Sequence, residues 1–190
     1  MAEGRRDYFG GYHRGLCRPR IVELRADVLT KINMLDPLTP EQLAILRERG
    51  AEIMASLRYI IIHCSATRCT HDYTAQQLER DHIRRGFRTV GYHYYIRRDG
   101  TLTQHRHLLT PGAHCRPYNH CSIGICYEGG LDADGKPCDT RTEWQRQRMD
   151  DLIEGLRQIF PDAVVCGHRD MPGTTPKDCP CFNAMKEYAR

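Results

Sequence analysis

Hydrophobic positions divide the chain into two unequal parts. Residues 1–18 are rich in Gly and Arg and show no apolar period. From Ile21 an amphipathic pattern begins. Ile21, Leu24, Val28, Leu29, Ile32 and Leu35 share one helical face, and Pro37 ends the run. Thr39-Pro40-Glu41-Gln42 opens a second helix, with Thr39 at the N-cap, Pro40 at the first helical position and Gln42 two residues later. Leu43, Leu46, Ile53, Met54 and Leu57 continue that helix, and Gly50 on the same face weakens or bends it. Residues 1–57 therefore read as an N-terminal extension, partly a helical hairpin, and 58–190 as the main domain.

In the main domain the pattern changes. Tyr59-Ile60-Ile61-Ile62 is a short, wholly apolar run, the mark of a strand buried on both faces. Thr74-x-x-Gln77 is a capping box that opens a helix through Leu78 and Ile83, closed by Gly86. Tyr92–Arg97 is an aromatic-rich strand. Arg98-Asp99-Gly100 turns it into a return strand over 101–105. Ser122–Tyr127 is a further strand. Thr142-x-x-Gln145 caps a long helix whose stripe is Met149, Leu152, Ile153, Leu156, Ile159 and Phe160, ended by Pro161. Ala163–Cys166 is the last strand, followed by a Pro/Gly-rich loop and a short terminal helix. Helices intermixed with parallel-type and hairpin strands predict an α/β fold, a mixed central β-sheet flanked by helices.

Composition narrows the class. The 190 residues carry 28 Lys+Arg against 24 Asp+Glu, a net charge of +4, which fits an anionic partner weakly and does not call for nucleic acid. No apolar run reaches the roughly 18 residues of a membrane span. MAEGRRDYFGGYHRG has basic residues with no apolar segment behind them, so no secretory signal is expected, and the protein is expected to be cytoplasmic as synthesised. Ten Cys in such a chain fall short of a disulfide scaffold and are expected as thiols.

Two strands end in histidine: Ile60-Ile61-Ile62-His63 and Val164-Val165-Cys166-Gly167-His168. A residue just past a strand end is fixed by the sheet yet reaches its rim. Cys179 stands eleven residues after His168. Two His and one Cys form a zinc set with one position open, the arrangement of catalytic sites. On spacing alone, with ten His and ten Cys in the chain, hydrogen-bonded strand-end histidines and a buried apolar cysteine are the favoured reading. Asp170 and Asp178 stand near enough to support an imidazole or simply to cap a turn.

Five motifs occur in order: His63-Cys64-Ser65-Ala66-Thr67; Gly91-Tyr92-His93-Tyr94 with Arg97-Arg98-Asp99-Gly100; Tyr118-Asn119-His120-Cys121-Ser122-Ile123-Gly124 with Gly129-Gly130; Gly167-His168; and Pro176-Lys177-Asp178-Cys179-Pro180. The chain thereby resembles, over about 58–184, the zinc-dependent N-acetylmuramoyl-L-alanine amidases of the phage-lysozyme type, relatives of the peptidoglycan recognition proteins. The resemblance implies Zn2+ held by His63, His168 and Cys179, and an active-site Tyr92 and Lys177. It also implies that His114 lines the substrate groove. The substrate it implies is peptidoglycan or a muropeptide, cut at the amide between N-acetylmuramic acid and L-alanine by a monomer. Lys177 would stabilise the tetrahedral oxyanion, and Tyr92 would hydrogen-bond the water or pass on its proton.

One position departs from a branch of the family. Where the cytoplasmic recycling enzymes carry Glu in the strand after Ser-Ile-Gly-Ile, this chain has Cys126, and Glu128 lies two positions on. The tyrosine-type site is the better match, and it implies action on the wall after release, as in a phage endolysin, rather than on recycled fragments. A non-catalytic peptidoglycan-binding module is the alternative, against which Cys179 and Lys177 speak. A cysteine peptidase using Cys64 lacks a recognised nucleophile context. Arg80, Arg84, Arg85, Arg88, Arg97 and Arg98 are expected to form a solvated face.

Overall fold

The computed structural model describes residues 56–190 apart from 109 and 175–177, together with Pro40, Ala44 and Glu52. Pro40, Ala44, Glu52 and Ser56 have α-helical backbone. The first helix expected over 21–35, and the rest of the second, lie outside the described residues.

A five-stranded mixed sheet forms the frame. In chain order the elements are β1 (Tyr59–Cys64), β2 (Thr67–Arg68), α1 (Ala75–Arg84), β3 (Tyr94–Ile96), β4 (Leu102–Gln104), β5 (Ser122–Tyr127), β6 (Gly130–Leu131), α2 (Glu143–Ile159), β7 (Val164–Gly167) and the single turn α3 (Ala184–Glu187). The sheet order is β4-β3-β5-β1-β7; β2 and β6 form a separate two-residue ladder. β1 runs parallel to β5 and β7, β3 runs parallel to β5, and only β4 is antiparallel. Four carboxyl ends therefore meet at one edge.

Alternation along β1 sorts its side chains onto two faces. Ile60 and Ile62 pack with Ile123, Ile125, Tyr94 and Val165 against the α2 stripe of Met149, Leu152, Ile153, Leu156 and Ile159. Ile61 faces the other way, with Cys166, Cys115 and Met171. Ile60, Ile61 and Ile62 are all fully buried, which is why the strand reads as an unbroken apolar run rather than an alternating one. Each α2 stripe residue contributes roughly 1.5–3 kcal/mol by leaving water.

Both capping boxes form. The Thr74 hydroxyl accepts from Gln77 N and the Gln77 side chain accepts from Thr74 N; Thr142 and Gln145 do the same. Gln145 does more than cap. Its Nε2 donates to Ile96 O at 3.2 Å and Glu128 O at 2.9 Å, tying the start of α2 to two strand ends. Gly86 follows α1 at φ +87°, a conformation open to glycine after a helix end.

Several boundaries shift. The aromatic strand begins at Tyr94, not Tyr92, and the last strand runs from Val164 to Gly167 rather than from Ala163. Ile83 is 52% exposed, because Leu78 and His82 supply the buried side of the short α1. The arginine face is only partly solvated. Arg97 donates through Nε to Glu128 Oε2 at 3.1 Å and pairs with Asp72. Glu128 is fully buried and also accepts from Tyr73 N and Arg98 N, so it is a structural anchor for two loops.

Candidate metal centre and groove

Register brings the two strand-end histidines together. Ile62 pairs with Gly167 across β1 and β7, so the next residues, His63 and His168, emerge side by side at the carboxyl edge. Their ring centroids are 4.6 Å apart and both side chains are buried. The closing loop delivers Cys179. Arg169 N donates to Cys179 O at 2.8 Å, which fastens the loop to the turn that carries His168. Gly167 makes room for this closure, since a Cβ there would stand 2.4 Å from Pro180 Cδ. One ligand atom from each of His63, His168 and Cys179 lies within 4.8 Å of the others.

These donors suit a divalent zinc-like ion. Two imidazoles and a sulfur at one sheet edge form a three-donor set that would hold such an ion. Cys64 N donates to Cys179 Sγ at 3.3 Å, which fixes the sulfur at the rim of the sheet. Asp170 does not take part: its Oδ2 accepts from Gly167 N at 2.8 Å and closes the turn over His168–Asp170.

Tyr92 and His114 flank His63. The Tyr92 ring lies 5.0 Å from the His63 ring, tilted by 51°. Burial pushes the Tyr92 phenol well above its ordinary range, and the neighbouring Cys126, Cys179 and Cys64 push it the same way, so its hydroxyl stays protonated. His114 Nδ1 sits 3.0 Å from His63 Nε2. Burial first, then His93 beside it, bring the His114 imidazole down to about 3, so it is neutral near pH 7. The structure thus brings together His63, His168, Cys179, Tyr92 and His114. Lys177 lies outside the described residues.

Cys64 Sγ is 3.8 Å from Cys181 Sγ. The Cys179 sulfur beside it holds the Cys64 thiol up at about 12, which leaves little thiolate for a peptidase nucleophile.

Sequence reasoning passed over the support behind His114. Asn119 Oδ1 accepts from both His114 N and Cys115 N, at 2.9 and 2.8 Å. The His114 ring fills a slot lined by two glycines. A Cβ on Gly112 would stand 2.3 Å from His114 Cδ2, and one on Gly124 would stand 2.6 Å from it. A glycine inside the β5 pattern was the available signal, because such a residue marks a close approach.

The comparisons with known proteins agree with this geometry. The family model for N-acetylmuramoyl-L-alanine amidase (Amidase_2) matches residues 53–182. The chain is 39% identical over 131 residues to the endolysin of Klebsiella phage KP32, covering 69% of this chain and 85% of that one. It is 31% identical over 147 residues to a peptidoglycan-recognition protein of Drosophila melanogaster, covering 75% and 78%. Among solved structures, the N-acetylmuramoyl-L-alanine amidase LysC from Clostridium intestinale superposes with a TM-score of 0.57 at 25% identity, covering 71% of this chain and 83% of that one. With the sheet, the strand-edge cluster and these likenesses in agreement, the chain belongs to the N-acetylmuramoyl-L-alanine amidase family and is a peptidoglycan amide hydrolase.

Proposed function

We propose that this amidase is zinc-dependent, with His63, His168 and Cys179 as the ligands, and that it cuts the bond between the lactyl group of muramic acid and L-alanine in the intact wall. The observation that carries the reading is the convergence of those three donors within 4.8 Å at the carboxyl edge of the sheet. Zinc bound there supplies Lewis acidity and draws the pKa of a water towards about 7.

The chain's own groups do the rest. His63 lies in β1 and His168 directly follows the end of β7, so the pairing of these adjacent parallel strands sets their spacing. Tyr92, kept protonated by burial and with its ring 5.0 Å from that of His63, is assigned the hydrogen bond to the attacking water or the relay of its proton. Lys177, two residues before Cys179, is assigned the stabilisation of the tetrahedral oxyanion; loss of such a donor costs about 100-fold or more. No helix among the described residues is long and apolar enough to cross a membrane. The endolysins among the relatives favour wall lysis after release from the cytoplasm over trimming of recycled fragments.

The test is a wall digestion read by new free amino groups on L-alanine. Purified protein is expected to release them, to stop when stripped with a strong chelator, and to recover with one equivalent of zinc. Cys179→Ala is expected not to recover. Release of amines by metal-free Cys179→Ala at the wild-type rate would remove zinc from the reaction. Binding to walls without any amine release would make the protein a recognition module.

A further inference from the structure

We infer that His114 is a positioning residue for His63: it accepts the His63 Nε2–H and thereby selects the tautomer that turns the Nδ1 lone pair towards Cys179 and the metal position. The inference rests on the metal reading above and goes beyond it by giving His114 a role other than contact with substrate.

The argument is an accounting of protons along one chain of contacts. It starts from the end that admits one answer. Ser122 Oγ lies 2.7 Å from Tyr118 O, and a carbonyl only accepts, so the serine hydroxyl donates there. The Ser122 oxygen is then left as an acceptor, and it faces His114 Nε2 at 3.5 Å, the longest link. Ser122 meets the same ring through its backbone as well. His114 therefore carries its proton on Nε2. A neutral imidazole has one donor and one acceptor nitrogen, so His114 Nδ1 offers a lone pair. That lone pair lies 3.0 Å from His63 Nε2, which must donate to it. His63 Nδ1 is left unprotonated, and it is the nitrogen that faces Cys179 Sγ, at 3.9 Å. Each step follows from the one before it, and the last is the form in which an imidazole can bind a metal.

The packing around His114 holds this chain in place. Gly112 and Gly124 flank the ring so closely that a methyl group on either would collide with it. Asn119 fixes the backbone on both sides of its amide. The neighbouring His93 ring, 5.8 Å away, is fixed in turn: Gly124 N donates to its Nδ1 at 3.0 Å and its Nε2 donates to Thr110 O at 2.9 Å. A groove residue that bound substrate by its ring would keep a nitrogen free to do so. Both nitrogens of His114 are engaged by the protein.

The test reads the tautomer directly and the metal separately. In metal-free 15N-labelled protein, long-range proton–nitrogen correlations are expected to show His63 protonated on Nε2. His114→Ala is expected to give a mixture of the two His63 tautomers and to bind zinc 10–100-fold more weakly in competition with a chromophoric chelator. His114→Asn places an acceptor oxygen near the position of Nδ1 and is expected to recover most of that affinity. It serves as the readout if the alanine variant fails to fold. His63 protonated on Nδ1 in the wild type overturns the inference, as does a folded His114→Ala that binds zinc as tightly as the wild type, or a folded His114→Asn that binds as weakly as the alanine variant. A wild-type protein that takes up no zinc overturns instead the metal reading on which this one rests.

Discussion

Arg141 and His63 are both buried polar side chains, and the fold satisfies them in opposite ways. The Arg141 guanidinium is surrounded by charge. It donates to both oxygens of Glu187 at 2.8 and 2.9 Å and to both oxygens of Asp139 at 2.9 Å, and it lies 3.2 Å from the centroid of the Phe182 ring. Arg146 adds a second cation on Asp139. The cluster around His63 is built instead from imidazoles, a phenol and a sulfur: His114, His168, Tyr92 and Cys179. One region is closed electrostatically, with each charge opposite its partner. The other gathers two imidazoles and a sulfur at the edge of the sheet. A structural knot needs charges that cancel, whereas a metal centre needs donors whose charge is completed by the ion.

That contrast can be broken from either side. The largest effect is expected at the open cluster. His168→Ala removes one of the three proposed ligands and is expected to lower wall hydrolysis by about 1,000-fold or more, roughly 4 kcal/mol of barrier. The unfolding midpoint of the metal-free protein should move little. A comparable loss of metal-free stability would mean that His168 acts as a core residue.

Arg141→Ala attacks the closed knot. Removing one partner of a buried ion pair costs about 3–5 kcal/mol, and the lower end is expected here because Asp139 and Glu187 keep 27% and 38% of their side chains exposed. Urea unfolding measures the loss, and zinc affinity of the folded fraction should stay at the wild-type level. An altered zinc affinity would show that the two regions are coupled.

The third expectation separates the regions by pH. Burial brings the His93 imidazole down to about 4, below its unfolded value near 6.5. The folded protein stays neutral at His93 while the unfolded chain takes up a proton, so stability falls as pH drops from about 6.5 to about 4, by up to about 3 kcal/mol. Asp139 behaves differently. Burial would raise its carboxyl, but the Arg141 hydrogen bonds and charge outweigh this and hold it below the usual carboxylate range. Its contribution is present above about pH 4 and is lost only as pH falls through that lower folded value. Chemical unfolding at several pH values in wild type and His93→Gln tests this. The variant's slope between pH 6.5 and 4 should be flatter by close to one proton, and an unchanged slope would exclude His93 as the source.

How much was legible depended on the range of the interactions involved. The capping boxes at Thr74 and Thr142 were readable because every partner lies within three residues. β1 was readable because burial on both faces leaves an unbroken apolar run. His63, His168, Cys179 and Tyr92 were picked out by motif order, and the structure places them together. The helix through Leu78 and Ile83 was read correctly, but which of its side chains are buried was not, because a short helix gives too few turns to define a stripe. Glu128 drew notice only as a poor substitute for an active-site acid, yet it is a buried anchor for Tyr73, Arg97 and Arg98, from segments 30 and more residues away.

The sequence by itself determined the five strands of the main sheet, the starts of α1 and α2 and the identities of the donor residues, since local period and capping chemistry are written in neighbouring positions. Only the tertiary structure brings His63, His114, Ser122 and Tyr118 into one line of contacts, because these residues meet across β5. It also decided that Arg141 should find Glu187, 46 residues away. A proton's position and a buried charge's partner are set by whatever lies within about 3 Å, and distance along the chain says little about that.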